Sequence, residues 1–440
     1  MKFVIYRLMV SMFLLCSIGS QAQRLKIYHI DVDQADATLF IAPNGSTLLV
    51  DAGENGKGRA IKKILDLEGI NRIDYFVNTH YHKDHYGGID ELVDAGISVG
   101  VAYDRGDKGS LPPGKLSEGT FKDYQRAVGN RAVMLTRGMQ IPLDNTMSVT
   151  CISHGGVVLA ETNPVPGNDE NDMSISLLIT YSNFRYFVGG DIEGYTERKI
   201  AERDLVLDLD VYQANHHGSS TSSTTEFMHD IVPTVVVISN GNHNGHAHPN
   251  QVTLDAYTQL VPEPTVFQTN KFLGTKPSGG NVSDDFIADL DAVGDEGTVT
   301  IVVDPGQGNY TVAYRDEVKN FPIKQRSQPH VQANGMIIEK LMVDPAGADA
   351  THEYVVIKNK TSSSVPLSGW TLRDASGRIW ILDNSGQLLP DRSLKVQRSG
   401  MPMSMNNDGD IITLLNAENE TIDEFQYVGS VEGIEIITGH

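Results

Sequence analysis

Between residues 24 and 53 the chain alternates short apolar runs with turn formers. "RLKIYHIDV", "DATLFIAP" and "STLLVDAG" are rich in apolar or β-branched positions and are separated by residues such as Asn44-Gly45. Runs of this length and composition predict strands. In "GRAIKKILDLEG" (58–69) the spacing of Ile61, Ile64 and Leu65 is helical, and Gly69 supplies a stop. "IDYFVNTH" (73–80) predicts another strand and "GGIDELVDAGI" a helix after it. Beyond Asn171, "MSISLLITYSNFRYFVGGD" reads as a hairpin of two buried strands about Ser182-Asn183. A helix over 196–203, a strand "LDVYQANH", a helix from about Ser223, a strand "TVVVISNG" and a helix "QVTLDAYTQL" follow. "GTVTIVVDP" and "NYTVAYR" end this region as strands. Strands followed by alternating strands and helices predict an α/β layered domain with mixed sheets.

The pattern then changes. Residues 317–334 are polar and unpatterned, which predicts a linker. Residues 335–440 hold only short strand-like runs between turn clusters, from "GMIIEKLMVDP" to "EFQYV". A small β-sandwich is the natural expectation for them. At the other end, Lys2 and Arg7 flank a mostly apolar run from Leu8 to Ile18, and Ser20-Gln21-Ala22 offers a cleavage site. This predicts a secretory signal peptide over 1–22 and a secreted or periplasmic protein. The run is short of the roughly 20 residues a membrane span needs, so a transmembrane anchor is the weaker alternative. No later segment is long and apolar enough to span. The expected organisation is therefore a signal (1–22), a first domain (23–316), a linker (317–334) and a second domain (335–440).

Composition adds two constraints. Signal removal takes away Cys16 and leaves Cys151, so no internal disulfide is expected. Cys151 lies in the strand-like "SVTCIS" and reads as core. The formal charge is −21, and Lys2 and Arg7 are the only charges in the signal, so the remainder carries −23. Such a surface repels polyanions at long range, and a phosphate substrate has to be held by local charge and metal. One local excess exists. Residues 104–137 hold seven cations (Arg105, Lys108, Lys115, Lys122, Arg126, Arg131 and Arg137) against four acids. A solvated loop is the simpler reading of this stretch and a substrate lid the other.

The chemistry concentrates in "THYHKDHYGG" (79–88). His80 and His82 stand two apart at a strand end, so both imidazoles can reach one ion. Asp84 and His85 follow in a turn and can face a second. Asp191 ends the apolar run "YFVGGD", a good place for a carboxylate shared by both ions, and His216 and His217 end another strand in "QANHHGS". Nitrogen and carboxylate ligands suit zinc, manganese or iron better than magnesium or calcium. Two divalent transition metals are expected, zinc first and manganese second.

In this order and spacing, "HIDVDQADATLF", "LLVDAG", "THYHKDHYGG", "NDMSISLLITYSNFRYFVGGD", "NHHGSSTSS" and "HAHPN" resemble the metallo-β-lactamase superfamily. Over residues 24–316 the chain resembles more closely the C-terminal hydrolase domain of the ComEC DNA-uptake proteins. The H-x-H-x-D-H pattern is met by His80, His82, Asp84 and His85. The resemblance implies an αββα sandwich with a dinuclear site between the sheet edges. It implies His80 and His82 on the first metal, Asp84 and His85 on the second, Asp191 bridging and His216 completing the second. His217 is the alternative ligand or a group behind it. Two departures stand out. Asp33 and Ala35 replace glycines frequent in the family's first turn. The third histidine of the first metal is missing, and Asn171 and Ser174 occupy the matching region. Asn171, Ser174 and His217 are candidate substrate-binding groups, and His154 is a candidate substitute ligand. Residues 335–440 resemble the lamin tail domain, an immunoglobulin-like β-sandwich, through Glu353, Asn359, Gly369-Trp370 and the Asp423…Tyr427 ending. Trp370 and Trp380 read as packing. A contact with a surface or polymer is the role this module implies.

The expected mechanism is hydrolysis by a metal-activated water, with Asp84 and His248 as catalytic groups, His248 stabilising developing oxygen charge. The first reading is a secreted phosphodiesterase or nuclease. The alternatives are a hydrolase of a small ester, lactone or lactam on the same fold, or a non-catalytic surface-binding protein.

Overall fold

The computed structural model describes residues 24–438, except 107–117, 160–168, 204, 292–296, 325–334, 348, 362, 383–385, 428, 431 and 434. The predicted signal peptide, Lys108 and Lys115 lie outside the described residues.

Two large sheets dominate the first part of the chain. In one, the described strands run in the order Glu317–Pro322, Asn309–Tyr314, Val299–Asp304, Leu25–His29, Thr38–Ile41, Thr47–Val50, Arg72–Val77, Ser98–Asp104 and Ala132–Met134. In the other, the order is Ile287–Asp289, Thr265–Asn270, Val235–Ile238, Val211–Gln213, Phe184–Val188, Ser176–Tyr181, Met147–His154 and Val157–Val158. Period-2 alternation sends successive residues to opposite faces. Leu48 and Val50 enter the core between the sheets, with Phe40, Val77, Ile179, Tyr186, Val237 and Cys151. Leu49 faces outward, where Ile61, Leu92, Phe121 and Tyr124 bring helices Gly58–Leu67, Ile89–Asp94 and Glu118–Val128 onto the first sheet. Phe187 and Tyr212 receive Ile200, Phe227 and Tyr257 from helices Gly194–Ala201, Thr225–Ile231 and Gln251–Thr258 on the outer face of the second. The layers are αββα.

Two expectations are corrected. Residues 317–322 are not linker. They form the edge strand Glu317–Pro322, paired antiparallel with Asn309–Tyr314 from Tyr314↔Glu317 to Asn309↔Pro322. An edge strand is half exposed, so its sequence lacks an apolar signature, and Pro322 is tolerated at its end. Residues 325–334 lie outside the described residues. Second, the basic stretch contains the helix Glu118–Val128, which buries Phe121, Tyr124 and Ala127. These fall at helical spacing, a signal masked by the surrounding polar residues.

From Met336 onward a separate core forms around Ile338, Val355, Ile357, Trp380, Ile412 and Leu414. One four-stranded sheet orders Ser393–Gln397, Tyr354–Asn359, Met336–Met342 and Ile436–Ile437. The other orders Ile379–Ile381, Thr371–Arg373, Asp410–Leu415 and Thr421–Tyr427. Trp380 is fully buried and its Nε1 donates to Met403 O at 2.8 Å, while Trp370 is 9% exposed. Both are packing residues.

A polar chain crosses the dry core between the large sheets. His29 Nε2 lies 3.3 Å from the Tyr186 hydroxyl, which donates to Gln213 Oε1 at 2.8 Å. Thr38 Oγ1 donates to the same oxygen, and Gln213 Nε2 donates to Asp36 Oδ1 at 3.1 Å. Burial depresses the pKa of His29 to about 3. The unfolded chain therefore takes up a proton near pH 6.5 that the folded chain refuses until about pH 3. Stability is lost through this group as pH falls across that window, by at most about 1.4 kcal/mol per pH unit. Urea unfolding of the wild type and His29→Gln between pH 7 and pH 4.5 should give a shallower acid slope for the variant. Parallel slopes would mean His29 is charged in the folded protein.

Candidate metal centre

The site lies at the carboxyl ends of parallel strands from both sheets. Thr47–Val50, Arg72–Val77 and Ser98–Asp104 run parallel, as do Phe184–Val188, Val211–Gln213 and Val235–Ile238. Asp51 follows the first of these, and Thr79–His85 follow the second. Asp191 leaves the strand Phe184–Val188 through Gly189-Gly190. Gly190 has φ +56°, and a Cβ there would stand 2.7 Å from the Thr79 side chain. That glycine lets the Asp191 turn approach the histidine segment. Asp33 also has positive φ, 63°, a conformation that L-residues other than Asn and Asp rarely adopt and that favours glycine.

The ligating groups fall into two clusters that share Asp191. His80, His82 and Asp191 form one, and Asp36, His85, Asp191 and His217 the other. His80 Nε2 is 2.9 Å from His82 Nδ1 and 3.7 Å from Asp191 Oδ2. His85 Nε2 is 3.4 Å from Asp191 Oδ1 and 3.8 Å from Asp84 Oδ2. His217 Nε2 is 3.5 Å from Asp84 Oδ2 and 3.8 Å from Asp191 Oδ1. His85 Nε2, His217 Nε2 and Asp191 Oδ1 are buried and make no hydrogen bond among the described residues. Their separations exceed hydrogen-bond length and match atoms sharing a tetrahedral zinc ion, about 3.4 Å apart for bonds of about 2.1 Å. These residues fit a metal.

Groups behind the imidazoles aim them. Asp51 Oδ2 accepts from His85 Nδ1 at 2.8 Å, which leaves the Nε2 lone pair facing the cluster. Asp51 is itself held by Thr79 N and Oγ1. His217 Nδ1 donates to Ser239 O at 3.1 Å, with Asp36 Oδ2 at 3.7 Å. The buried ion pair of Arg105 with Glu170 supports the first cluster, since Glu170 Oε1 also accepts from Tyr81 N, between the two histidines.

The charges are coupled. On the polypeptide alone, burial opposes the Asp191 charge, but His85, His216 and His217 outweigh it and hold its pKa well below the usual value. Burial likewise opposes charge on His217, yet Asp191 and Asp36 raise its pKa to about 9. His80 is held well below the ordinary histidine value by burial and then by His85. Burial, with His217 and His216, lowers His248 to about 3.

Several expectations change. His217, rather than His216, groups with His85 and Asp191, and its Nε2 lies 3.5 Å from Asp84 Oδ2. His216 Nε2 instead stands 3.7 Å from the other oxygen, Asp191 Oδ2. Ser174 is fully buried and its Oγ accepts from Asp191 N at 3.2 Å, so it positions the carboxylate. His154 Nε2 bonds Arg105 O at 3.0 Å and belongs to neither cluster. Cys151 is a buried core thiol. Three described cations of the basic stretch have partners within the protein. Arg105 is 6% exposed against Glu170, Arg126 pairs with Asp123, Asp90 and Asp94, and Arg131 bonds Ala127 O. Asn171 and His248 do line the cavity over the clusters, together with Gln34, His82, Asp84, His216 and His246.

Asp36 and Asp51 were missed as site residues. Each borders an apolar strand, the signal used for Asp191, and that signal was available for both.

Comparisons with known proteins find relatives of both parts of the chain. Residues 30–225 match the Metallo-beta-lactamase superfamily and residues 330–429 the Lamin Tail Domain. ComE operon protein 3 of Bacillus subtilis (strain 168) is 23% identical over 261 residues, 55% of this chain and 32% of its own length. Recombination protein 2 of Haemophilus influenzae is 25% identical over 234 residues, 51% of this chain and 25% of its own length. This chain thus spans a third or less of these relatives. A solved metal-dependent hydrolase of the beta-lactamase superfamily overlaps 59% of this chain and 100% of its own at 13% identity and TM-score 0.36. The chain carries a metallo-β-lactamase superfamily domain, followed by a lamin tail domain. Its first domain is homologous to that of the ComEC-type competence proteins.

Asp51→Asn should weaken metal binding at the His85 cluster about 10- to 100-fold, the usual cost of losing an orienting carboxylate. Cys151→Ala should leave it unchanged. Equilibrium dialysis against zinc reads both, and equal affinities in the two variants would remove Asp51 from the site.

Proposed function

We propose that this chain is a secreted dinuclear phosphodiesterase that cleaves short or single-stranded substrates with an activated water. The observation that supports it best is Asp191, a buried carboxylate with imidazoles on both oxygens, opening into a cavity of about 560 Å³. Bound zinc or manganese would supply Lewis acidity and lower the pKa of a water at this place. His80, His82 and Asp191 would hold one ion, and Asp84, His85, His217 and Asp191 the other.

The remaining lining handles the substrate. Gln34 Nε2 lies 3.4 Å from His248 Nδ1, so Nδ1 acts as acceptor and Nε2 carries the proton. That N–H donates to an oxygen on which charge develops. Asn171 Nδ2 is held by Glu193 Oε1 at 3.2 Å, which fixes the amide at the cavity wall. The cavity has the size of a small-molecule site, which suits a mononucleotide end or one splayed phosphodiester better than a duplex. Names of the relatives, which concern competence and recombination, favour a nucleic-acid phosphodiester.

The charge of −21 favours a second reading, a small uncharged ester or lactone, because it repels long polyanions. None of the ligating groups comes from the lamin tail domain. On the present reading that domain makes contact with a surface or polymer.

Hydrolysis of bis-(p-nitrophenyl) phosphate by zinc- or manganese-loaded protein tests the proposal. Asp191→Ala should lower kcat by more than the roughly 100-fold cost of an orienting group, and Cys151→Ala should stay near wild type. Turnover of p-nitrophenyl esters or lactones alone, with no phosphodiester cleavage, would replace the first reading by the second.

A further inference from the structure

The first cluster brings together three ligating groups, His80, His82 and Asp191, one fewer than a closed four-coordinate site takes. Asn171 and His216 line the cavity beside it. A structural zinc site takes four ligands, and a catalytic one takes three protein ligands plus an exchangeable water. We propose that His216 supplies a further imidazole to this cluster, reaching the first ion from the turn that follows the strand Val211–Gln213. The assignment rests on the metal centre proposed above and not on the identity of the substrate.

Three observations lead to it. The first is the backbone of the "HHG" turn. His216, His217 and Gly218 have φ of 51°, 53° and 76°, three left-handed residues in a row, two of them not glycine. L-residues avoid this conformation, and strain of this kind persists where the surroundings impose it. Its result is that neighbouring side chains straddle one carboxylate. His217 Nε2 is 3.8 Å from Asp191 Oδ1, and His216 Nε2 is 3.7 Å from Asp191 Oδ2.

The second is the oxygen His216 faces. Asp191 Oδ2 is the same atom that lies 3.7 Å from His80 Nε2. His216 therefore approaches the first cluster, while His85 and His217 gather at Oδ1. It stands at the rim of that cluster, outside the tight group of His80, His82 and Asp191, and closes on it by coordination.

The third is how the ring is held. Ligand histidines tie their other nitrogen to an oxygen. His216 Nδ1 has Thr221 Oγ1 at 3.1 Å and Glu193 Oε1 at 3.3 Å, and Thr221 Oγ1 donates to the same Glu193 oxygen at 3.0 Å. This matches His85 on Asp51 and His217 on Ser239 O. The rival ligand is Asn171, whose Oδ1 is buried and makes no hydrogen bond among the described residues. Its Nδ2 lies 3.5 Å from His216 Nε2, so the two side chains are neighbours at the edge of the cluster.

Metal content separates them without reference to turnover. Full-length wild type, His216→Ala, Asn171→Ala and the double variant His216→Ala/Asn171→His are loaded with zinc, dialysed and measured by elemental analysis. Cobalt-loaded samples are compared by visible absorption, and circular dichroism checks folding. Wild type and Asn171→Ala should retain two ions, His216→Ala one, and the double variant two again, with a changed cobalt spectrum. His216→Gln provides a closer replacement where His216→Ala misfolds, and it should likewise retain one ion. Two ions in either folded His216 variant, loss of an ion in Asn171→Ala alone, or fewer than two in wild type would each overturn the assignment. A chain that holds its first ion through His216 yet cleaves no phosphodiester supports the assignment and removes the substrate reading.

Discussion

Asp191 is a carboxylate 2% exposed at the meeting point of two sheets, and a charge so placed has to be compensated on every side. Taking an ion out of water costs several kcal/mol, which attraction offsets only when the surrounding groups are well placed. Five features of the fold meet that requirement. Gly190 lets the turn close against Thr79, Ser174 accepts the Asp191 amide, and His85, His216 and His217 bring imidazoles to both oxygens. Removing one imidazole leaves the others and Asp191 with unmatched charge, so the groups form a single electrostatic unit.

The turn carrying His216 and His217 shows what that unit costs. A left-handed non-glycine residue is disfavoured by roughly 1–2 kcal/mol, and here two are adjacent. The turn is held from outside. Glu197, fully buried on the helix Gly194–Ala201, accepts from Asn215 Nδ2, Ser223 N and Thr224 N, on both flanks of the loop. Asn215 N in turn donates to the Tyr212 hydroxyl. Behind the second cluster, the chain His29–Tyr186–Gln213–Asp36 links the intersheet core to the His217 environment. Strain at the site is thus balanced by polar groups buried in the layers around it.

The cations of residues 104–137 illustrate the opposite use of charge. Arg105 is spent inside the fold, where its pair with Glu170 steadies Tyr81 and hence the spacing of His80 and His82. Arg126 serves a local acidic group on neighbouring helices. The imidazoles at 216, 246 and 248 line the cavity over the clusters.

Much of this was legible in the residues alone. Alternating and helical periodicities marked most strands and helices of the first domain, because burying one face imposes a fixed period. The motifs at 80–85, 191 and 216–217 were legible because metal ligands are few residue types at strand ends. The edge strand Glu317–Pro322 and the helix Glu118–Val128 were not. One is half exposed and the other is surrounded by polar sequence, so neither shows a clean period. Two adjacent histidines look equivalent along the chain, and only a left-handed turn sends them to different oxygens of Asp191. Asp36 and Asp51 acquire a role only when the strands they border lie beside those carrying His217 and His85. Sequence determined which groups were available and roughly where each strand ended. Tertiary structure decided which of them come within reach of one another, because that depends on distances of a few ångströms between segments far apart in the chain.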